Sequence, residues 1–320
     1  MRAVVFESYG LPDVLKIREM EKPTPKDDEI LVKVRASSVN IAEWYAMTGL
    51  PLARIGGGLF KPKDTRLGVD FSGVVEAVGS QVKDFKRGDE VFGGRDGAYA
   101  EYVTVRNAIA HKPAILTFEE AASIPTAAIT ALQGLRDHGR IEPGQKVLIH
   151  GASGGVGSFA IQIAKAFGAE VTAVCSTQNV EHARSLGADH VIDYTKEDFT
   201  QIGQKFDLLL NVNGGRSWSV YKRVLKPEGI FVLVGGPRTP FIGPLSLLIK
   251  TRIAMLGASQ KFAFFMAKFN REDFALLKDL VETGKVKPFV ERTYPMTHIA
   301  DAMRQLGAGH VQGKIVVTMR

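Results

Sequence analysis

Residues 146–158 read Lys-Val-Leu-Ile-His-Gly-Ala-Ser-Gly-Gly-Val-Gly-Ser, and Phe159 to Phe167 continue with a helical pattern. A short apolar run that enters a glycine turn and then a helix belongs to a parallel α/β sheet. Gly151, Gly154 and Gly157 recur at every third residue, and Ala152, Gly154 and Gly157 fall on G-x-G-x-x-G spacing with alanine in the first slot. Such a turn lets the backbone approach a pyrophosphate, whose charge then faces free N–H groups and the positive end of the helix. Glycine turns alone are common in α/β proteins, so the weight comes from the flanks.

Beyond the helix, Gly168-Ala169 is a stop signal and Glu170 to Cys175 a second strand. NAD-selective sites place an Asp or Glu about twenty residues past the glycines, on the ribose 2′-hydroxyl. This chain has Cys175-Ser176-Thr177-Gln178-Asn179 there, and the next acid is Glu181. A carboxylate repels a 2′-phosphate, whereas hydroxyls and amides donate to one, so Ser176, Thr177 and Gln178 read as an NADPH site. Ser176 or Thr177 capping a helix from Val180 is compatible with that role.

The rhythm of the chain divides it in two. Up to residue 122 it shows short strands broken by turns, with strand candidates at Ile30–Ala36, Phe71–Val78, Glu90–Phe92 and Ala98–Val105. From 123 to 261 strands and helices alternate, with strands expected at Val147–His150, Val171–Cys175, His190–Ile192, Asp207–Asn211, Ile230–Val234 and Ile253–Leu256. Residues 262–320 add helices at Arg271–Thr283 and His298–Gly307 and a strand at Lys314–Met319. The expected fold is α/β, a doubly wound parallel sheet inserted into a β-rich domain built from both chain ends, and 320 residues exceed a usual single core.

Net charge is +7, but the basic residues are interleaved with acids and carry no aromatic RNA-binding signature, so nucleic acid is not an expected partner. The single cysteine, Cys175, excludes an intrachain disulfide and most cysteine zinc sites. Met1 to Phe6 runs into a strand without a signal-peptide pattern, and no apolar run reaches membrane-spanning length. A cytoplasmic protein is the expectation.

The motifs taken in order resemble the medium-chain dehydrogenase/reductase superfamily, in its zinc-independent quinone oxidoreductase branch. They are Ser38-Val39-Asn40, Gly68 to Gly79 (GVDFSGVVEAVG), Gly88 to Gly93 (GDEVFG), Gly97 to Tyr102 (GAYAEY), His150 to Gly157 (HGASGGVG), Gly187 to Tyr194 (GADHVIDY) and Gly313 to Val317 (GKIVV). The resemblance implies a Rossmann domain within a GroES-like catalytic domain. In the family's zinc alcohol dehydrogenases a cysteine lies near the position of Asn40, a histidine at that of Val69, and four further cysteines in a structural lobe. None of these is present here, and removing hydride from an unactivated alcohol needs a Lewis acid or an equivalent base to handle the hydroxyl proton.

The resemblance therefore implies metal-free hydride delivery from NADPH, with NADH as a weaker alternative, to quinones or conjugated enones and enals. It implies that Asn40 orients a carbonyl and Tyr45 donates a proton, Glu43 being a hydrogen-bonding residue of the fold. It places Thr126 and Thr130 at the nicotinamide. Gly151, Ser153, Gly154, Gly155, Val156 and Gly157 fall at the pyrophosphate, and Tyr194 beside the adenosine phosphate. Asn213, Gly235 and Gly236 end strands at the cofactor crevice, with Lys314 reaching it from the C-terminal lobe. Asn40 serving a turn and Tyr45 packing in a helix stand as the plainer readings. Relatives often carry Arg at Gln178 or Lys at Asn179, so NADPH selectivity is weakened here.

Other readings are an alcohol or carbonyl reductase without zinc, and a non-catalytic NADPH-binding protein of the crystallin or redox-sensor kind. Leu50–Leu67 reads as a lid, and Phe241–Phe269 as core with a subunit interface or, failing that, a substrate wall or a membrane-surface contact. The strand at Ile253–Leu256 would pair across a two-fold axis in a homodimer.

Overall fold

A computed structural model describes residues 1–50, 54, 57–236, 243–309 and 311–319, with the backbone alone for 243–246. The chain forms two compact units. The first comprises Met1–Ile129, Lys268–Thr283 and Pro288–Arg320, and the second Thr130–Ala267 with Gly284–Lys287.

In the first unit β1 (Arg2–Val5) pairs with β2 (Lys16–Glu19). A larger, mainly antiparallel sheet contains β3 (Ile30–Ser38), β4 (Asp70–Val78), β5 (Glu90–Gly94), β6 (Tyr102–Val105) and β7 (Ile109–His111). The middle of β3 alternates, Val32 and Val34 buried and Lys33 and Arg35 exposed, as a strand with one wet face requires. Ala98 to Ala100 lies outside β6: the Ala98 and Tyr99 amides bond to Gly68 and Leu67 carbonyls, which draws the Tyr99 side chain into the interior.

The second unit carries β8 (Lys146–His150), β9 (Glu170–Cys175), β10 (His190–Asp193), β11 (Phe206–Asn211), β12 (Leu225–Leu233) and β13 (Lys261–Phe264). They lie in the order β10-β9-β8-β11-β12-β13, every pairing parallel. This is the doubly wound order in which the strand sequence reverses beside β8, and ligands bind outside the carboxyl ends of the strands at that reversal. Val147, Leu148 and Ile149 are fully buried, because a central parallel strand has both faces covered.

The sixth strand corrects the expectation at Ile253–Leu256. Ile253 and Ala254 close the helix Gly243–Ala254, Ile253 and Leu256 are 62% and 79% exposed, and Gly257 adopts a left-handed φ of 79°. The strand lies at Lys261–Phe264, in register with Ile230–Leu233. Short apolar runs do not distinguish a strand from a helix end, and the glycine stop decided this one. Since β13 runs to Phe264, the chain leaves the second unit at Lys268, not at 262. Phe262 stacks on Phe231 and Phe265 on His138, while Phe264 and Met266 are exposed.

Two further strands, β14 (Val290–Pro295) and β15 (Lys314–Thr318), return to the first unit, where β15 pairs antiparallel with β3 at Ser38, Ser37 and Ala36. The expected helices appear at Arg271–Glu282 and Ile299–Ala308. Of the lid segment, Pro51–Ala53, Ile55 and Gly56 lie outside the described residues, as do Phe241 and Ile242.

Candidate functional site

Within the second unit, His150 ends β8 and Gly151 turns the chain with φ +89°. Helix Gly155–Ala166 starts four residues before Phe159, so Gly155, Val156 and Gly157 form its first turn. Its N-cap is Gly154, in extended conformation with no side chain to cap the helix. The first amides of a helix have no partner within it, so this end presents N–H donors and positive potential. A Cβ added at Gly154 would meet nothing within 4 Å, whereas at Gly157 it would lie 2.2 Å from the Gly151 carbonyl oxygen. One glycine leaves open space before the helix; the other lets the helix pack on the turn. Ser153, Gly154, Gly155 and Val156 are half-buried at the rim of this space. The arrangement fits the diphosphate of a dinucleotide.

The turn is supported from below. His150 Nδ1 lies 3.2 Å from Asn211 Oδ1 and 3.1 Å from the Tyr221 hydroxyl. Tyr221 donates to the Gly214 carbonyl at 3.0 Å, and the Gly214 N–H donates to Asn211 Oδ1 at 2.9 Å. Burial pushes the His150 pKa down, so the ring is neutral at physiological pH. Beside it, Asn213 is exposed on the loop after β11, and Gly235 follows β12 where a Cβ would strike the Val212 carbonyl at 1.8 Å. Gly236 follows, half-buried.

At the carboxyl end of β9, Ser176 is half-buried and accepts from Asn179 Nδ2 at 3.0 Å. Thr177 and Gln178 are exposed, and Tyr194 is 48% exposed. The sequence reading missed Asp193. Its carboxylate accepts from the Thr177 hydroxyl at 2.6 Å, and from the Thr195 hydroxyl and amide at 2.7 and 3.0 Å. These bonds, the Thr177 hydroxyl first, hold its pKa down at about 2. The acid comes from the neighbouring strand, since Asp193 pairs in register with Cys175.

The first unit gathers a buried polar cluster. Ser38 and Asn40, at the end of β3, donate to Asp70 Oδ2 at 2.6 and 3.0 Å, and the Thr126 amide donates to Asp70 Oδ1 at 2.9 Å, with its hydroxyl on the same oxygen. Asn40 begins the helix Ile41–Thr48, where its N–H donates to Glu43 Oε2 at 2.6 Å and the Tyr99 hydroxyl donates to the same oxygen at 2.7 Å. Lys314 donates to the Val39 carbonyl at 3.1 Å and to Asn40 Oδ1, and its ammonium lies 3.6 Å from Asp70 Oδ2. Burial, reinforced by the charge of Asp70, pushes the Glu43 pKa up to about 7. Burial likewise pulls Lys314 down, and Asp70 opposes that.

Three residues expected at the site lie in this cluster. The Asn40 amide is engaged on both sides, Nδ2 on Asp70 and Oδ1 on Lys314, and it braces the helix start. Lys314 is 4% exposed and turned onto Asn40 and Val39. Thr126 directs its donors to Asp70, while Thr130, one turn further along helix Pro125–Gln133, is half-buried. Glu43 is a hydrogen-bonding residue of the fold, and Tyr45 is half-buried on the same helix. Among the described residues no three His, Cys, Asp or Glu side chains are grouped to hold a metal ion.

Family models match both parts of the chain: an alcohol dehydrogenase GroES-like domain over residues 26–115, and a zinc-binding dehydrogenase over residues 186–317. The mitochondrial NAD(P)H oxidoreductase RTN4IP1 of Mus musculus is 35% identical over the whole chain and 89% of its own length. The chain belongs to the medium-chain dehydrogenase/reductase superfamily, in its zinc-independent quinone oxidoreductase branch. A second relative of this superfamily, the chloroplastic NADPH-dependent alkenal/one oxidoreductase of Arabidopsis thaliana, is 35% identical across 99% of the chain and 79% of its own length. The crystal structure of Escherichia coli quinone oxidoreductase complexed with NADPH superposes with a TM-score of 0.86 at 27% identity, covering 99% of this chain and all of that one. As a medium-chain reductase, the chain is an NAD(P)H-dependent oxidoreductase.

Proposed function

We propose that the protein reduces quinones and α,β-unsaturated carbonyl compounds at the expense of NADPH, without a metal. The observation that carries this reading is the uncapped glycine cradle at the sheet's reversal point, in a chain that aligns over its full length with an alkenal/one oxidoreductase. When bound, the reduced nicotinamide supplies the hydride. The amides from Ser153 to Gly157 hold the pyrophosphate, and Ser176, Thr177, Gln178 and Tyr194 line the adenosine end. Thr130, Asn213, Gly235 and Gly236 flank the nicotinamide end.

A substrate already activated by conjugation needs position, a dry surface and a proton, and no Lewis acid. Tyr45 supplies the proton in this reading, and the Asp70–Asn40–Lys314 cluster fixes the helix that carries it. The protein acts as a homodimer in the cytoplasm; its free, buried Cys175 suits a reducing compartment, although its relatives are named as mitochondrial and chloroplastic. Among the described residues no helix is long and apolar enough to cross a membrane.

Product analysis after incubation with NADPH and a straight-chain alkenal tests the reading. The saturated aldehyde is the expected product. An allylic alcohol with its double bond intact would contradict conjugate reduction.

A further inference from the structure

We propose that Asp193, acting through the Thr177 hydroxyl, sets how the protein discriminates between NADPH and NADH. The inference rests on the dinucleotide reading of the glycine cradle. Thr177 stands twenty residues beyond Gly157, the place from which an acid reaches the ribose 2′-hydroxyl in NAD sites. No acid stands there in the sequence, but the parallel register of β9 and β10 delivers one in space. Asp193 lies opposite Cys175, the Tyr194 amide donates to the Cys175 carbonyl at 3.0 Å, and Thr177 Oγ1 donates to Asp193 Oδ2 at 2.6 Å.

The direction of that hydrogen bond decides what Thr177 can offer a ligand. A hydroxyl has one proton and two lone pairs. Thr177 Oγ1 lies 2.6 Å from Asp193 Oδ2 and 2.9 Å from the Thr195 hydroxyl, so its one proton is committed within a cluster whose carboxylate also holds the Thr195 amide and is fixed in place. What remains on Thr177 is an acceptor. A ribose 2′-hydroxyl can donate to that oxygen, which completes a relay from ribose through threonine to carboxylate. A 2′-phosphate carries close to two negative charges and no proton to give, and it meets an acceptor with an anion one hydrogen bond behind it. Lys196 lies 3.4 Å from Asp193 Oδ2 and softens this field; its side chain is 70% exposed, so solvent screens it. Gln178 remains exposed as an amide donor, which keeps NADPH within reach.

The protein is thus built to accept both dinucleotides, and removing the Asp193 charge tips it toward NADPH. The test is equilibrium titration of wild type, Asp193→Asn and Thr177→Val with NADPH and with NADH, read by protein fluorescence with no substrate present. Asp193→Asn preserves the shape and frees the threonine proton, so the NADPH-to-NADH affinity ratio is expected to rise by roughly tenfold. Thr177→Val removes the acceptor and is expected to weaken NADH by about fivefold with a smaller effect on NADPH. It also covers the case in which the first variant melts early. A ratio that stays within about twofold of wild type in both variants overturns the proposal. Wild type binding neither dinucleotide overturns the cradle reading and this inference together. Tight binding without turnover of any substrate supports the cradle and counts only against the reductase reading.

Discussion

Two glycines of the turn do different work, and substitution separates them. Gly154→Ala adds a methyl group to open space at the N-cap, so the fold should melt as wild type does while dinucleotide affinity falls about tenfold. Gly157→Ala drives a Cβ onto the Gly151 and Ala152 backbone, so thermal stability itself should fall, as a calorimetric scan would show. Equal effects on melting would contradict the division. Glu43 gives a second test at this scale. Its folded pKa of about 7 lies above the ordinary value of 4.5, so its contribution favours folding fully below pH 4.5 and is lost as pH rises through 7. The whole effect is at most about 3 kcal/mol. Glu43→Gln keeps an acceptor for Asn40 and Tyr99 and should flatten stability between pH 5 and 7 in denaturant titrations. A slope unchanged in the variant would assign it to other groups.

At the scale of elements, the strand, glycine turn and helix from Lys146 to Ala166 were legible because periodicity, glycine spacing and order agree on one local structure. What the sequence could not show was pairing. Asp193 stood within a recognised motif, yet only the register of β10 against β9 brings it to Thr177, sixteen residues away in the chain. The same holds for Asn40 and Lys314, which are 274 residues apart and meet because β15 pairs with β3. Local pattern names residue types; long-range pairing decides whether a side chain faces a ligand or another side chain. The correction of β13 bears on assembly as well. Lys261–Phe264 ends the sheet order, with Phe264 partly exposed, and an edge strand of this kind is a pairing surface. Light scattering should therefore give twice the 34.8 kDa chain mass. Ala263→Pro, which removes an amide at that edge, should shift it toward the single-chain value. A monomer in the wild type would contradict the homodimer.

In the whole molecule the second unit carries a dinucleotide cradle and the first a buried polar cluster, in a family whose members are named for reducing quinones and alkenals. Fold and family were legible from the order of motifs, because glycine turns and strand ends are local. The contacts of Asn40, Thr126 and Lys314 were not, because Asn40 and Thr126 meet Asp70 and Lys314 meets Asn40 only through long-range pairing. The central claim is that the substrate brings its own activation. The most direct measurement is the rate of NADPH consumption by purified protein with a benzoquinone, an alkenal, a cyclic enone and a simple ketone in parallel. Turnover of conjugated acceptors is expected to be at least about a hundredfold faster than that of the ketone. Consumption with the ketone alone would contradict it.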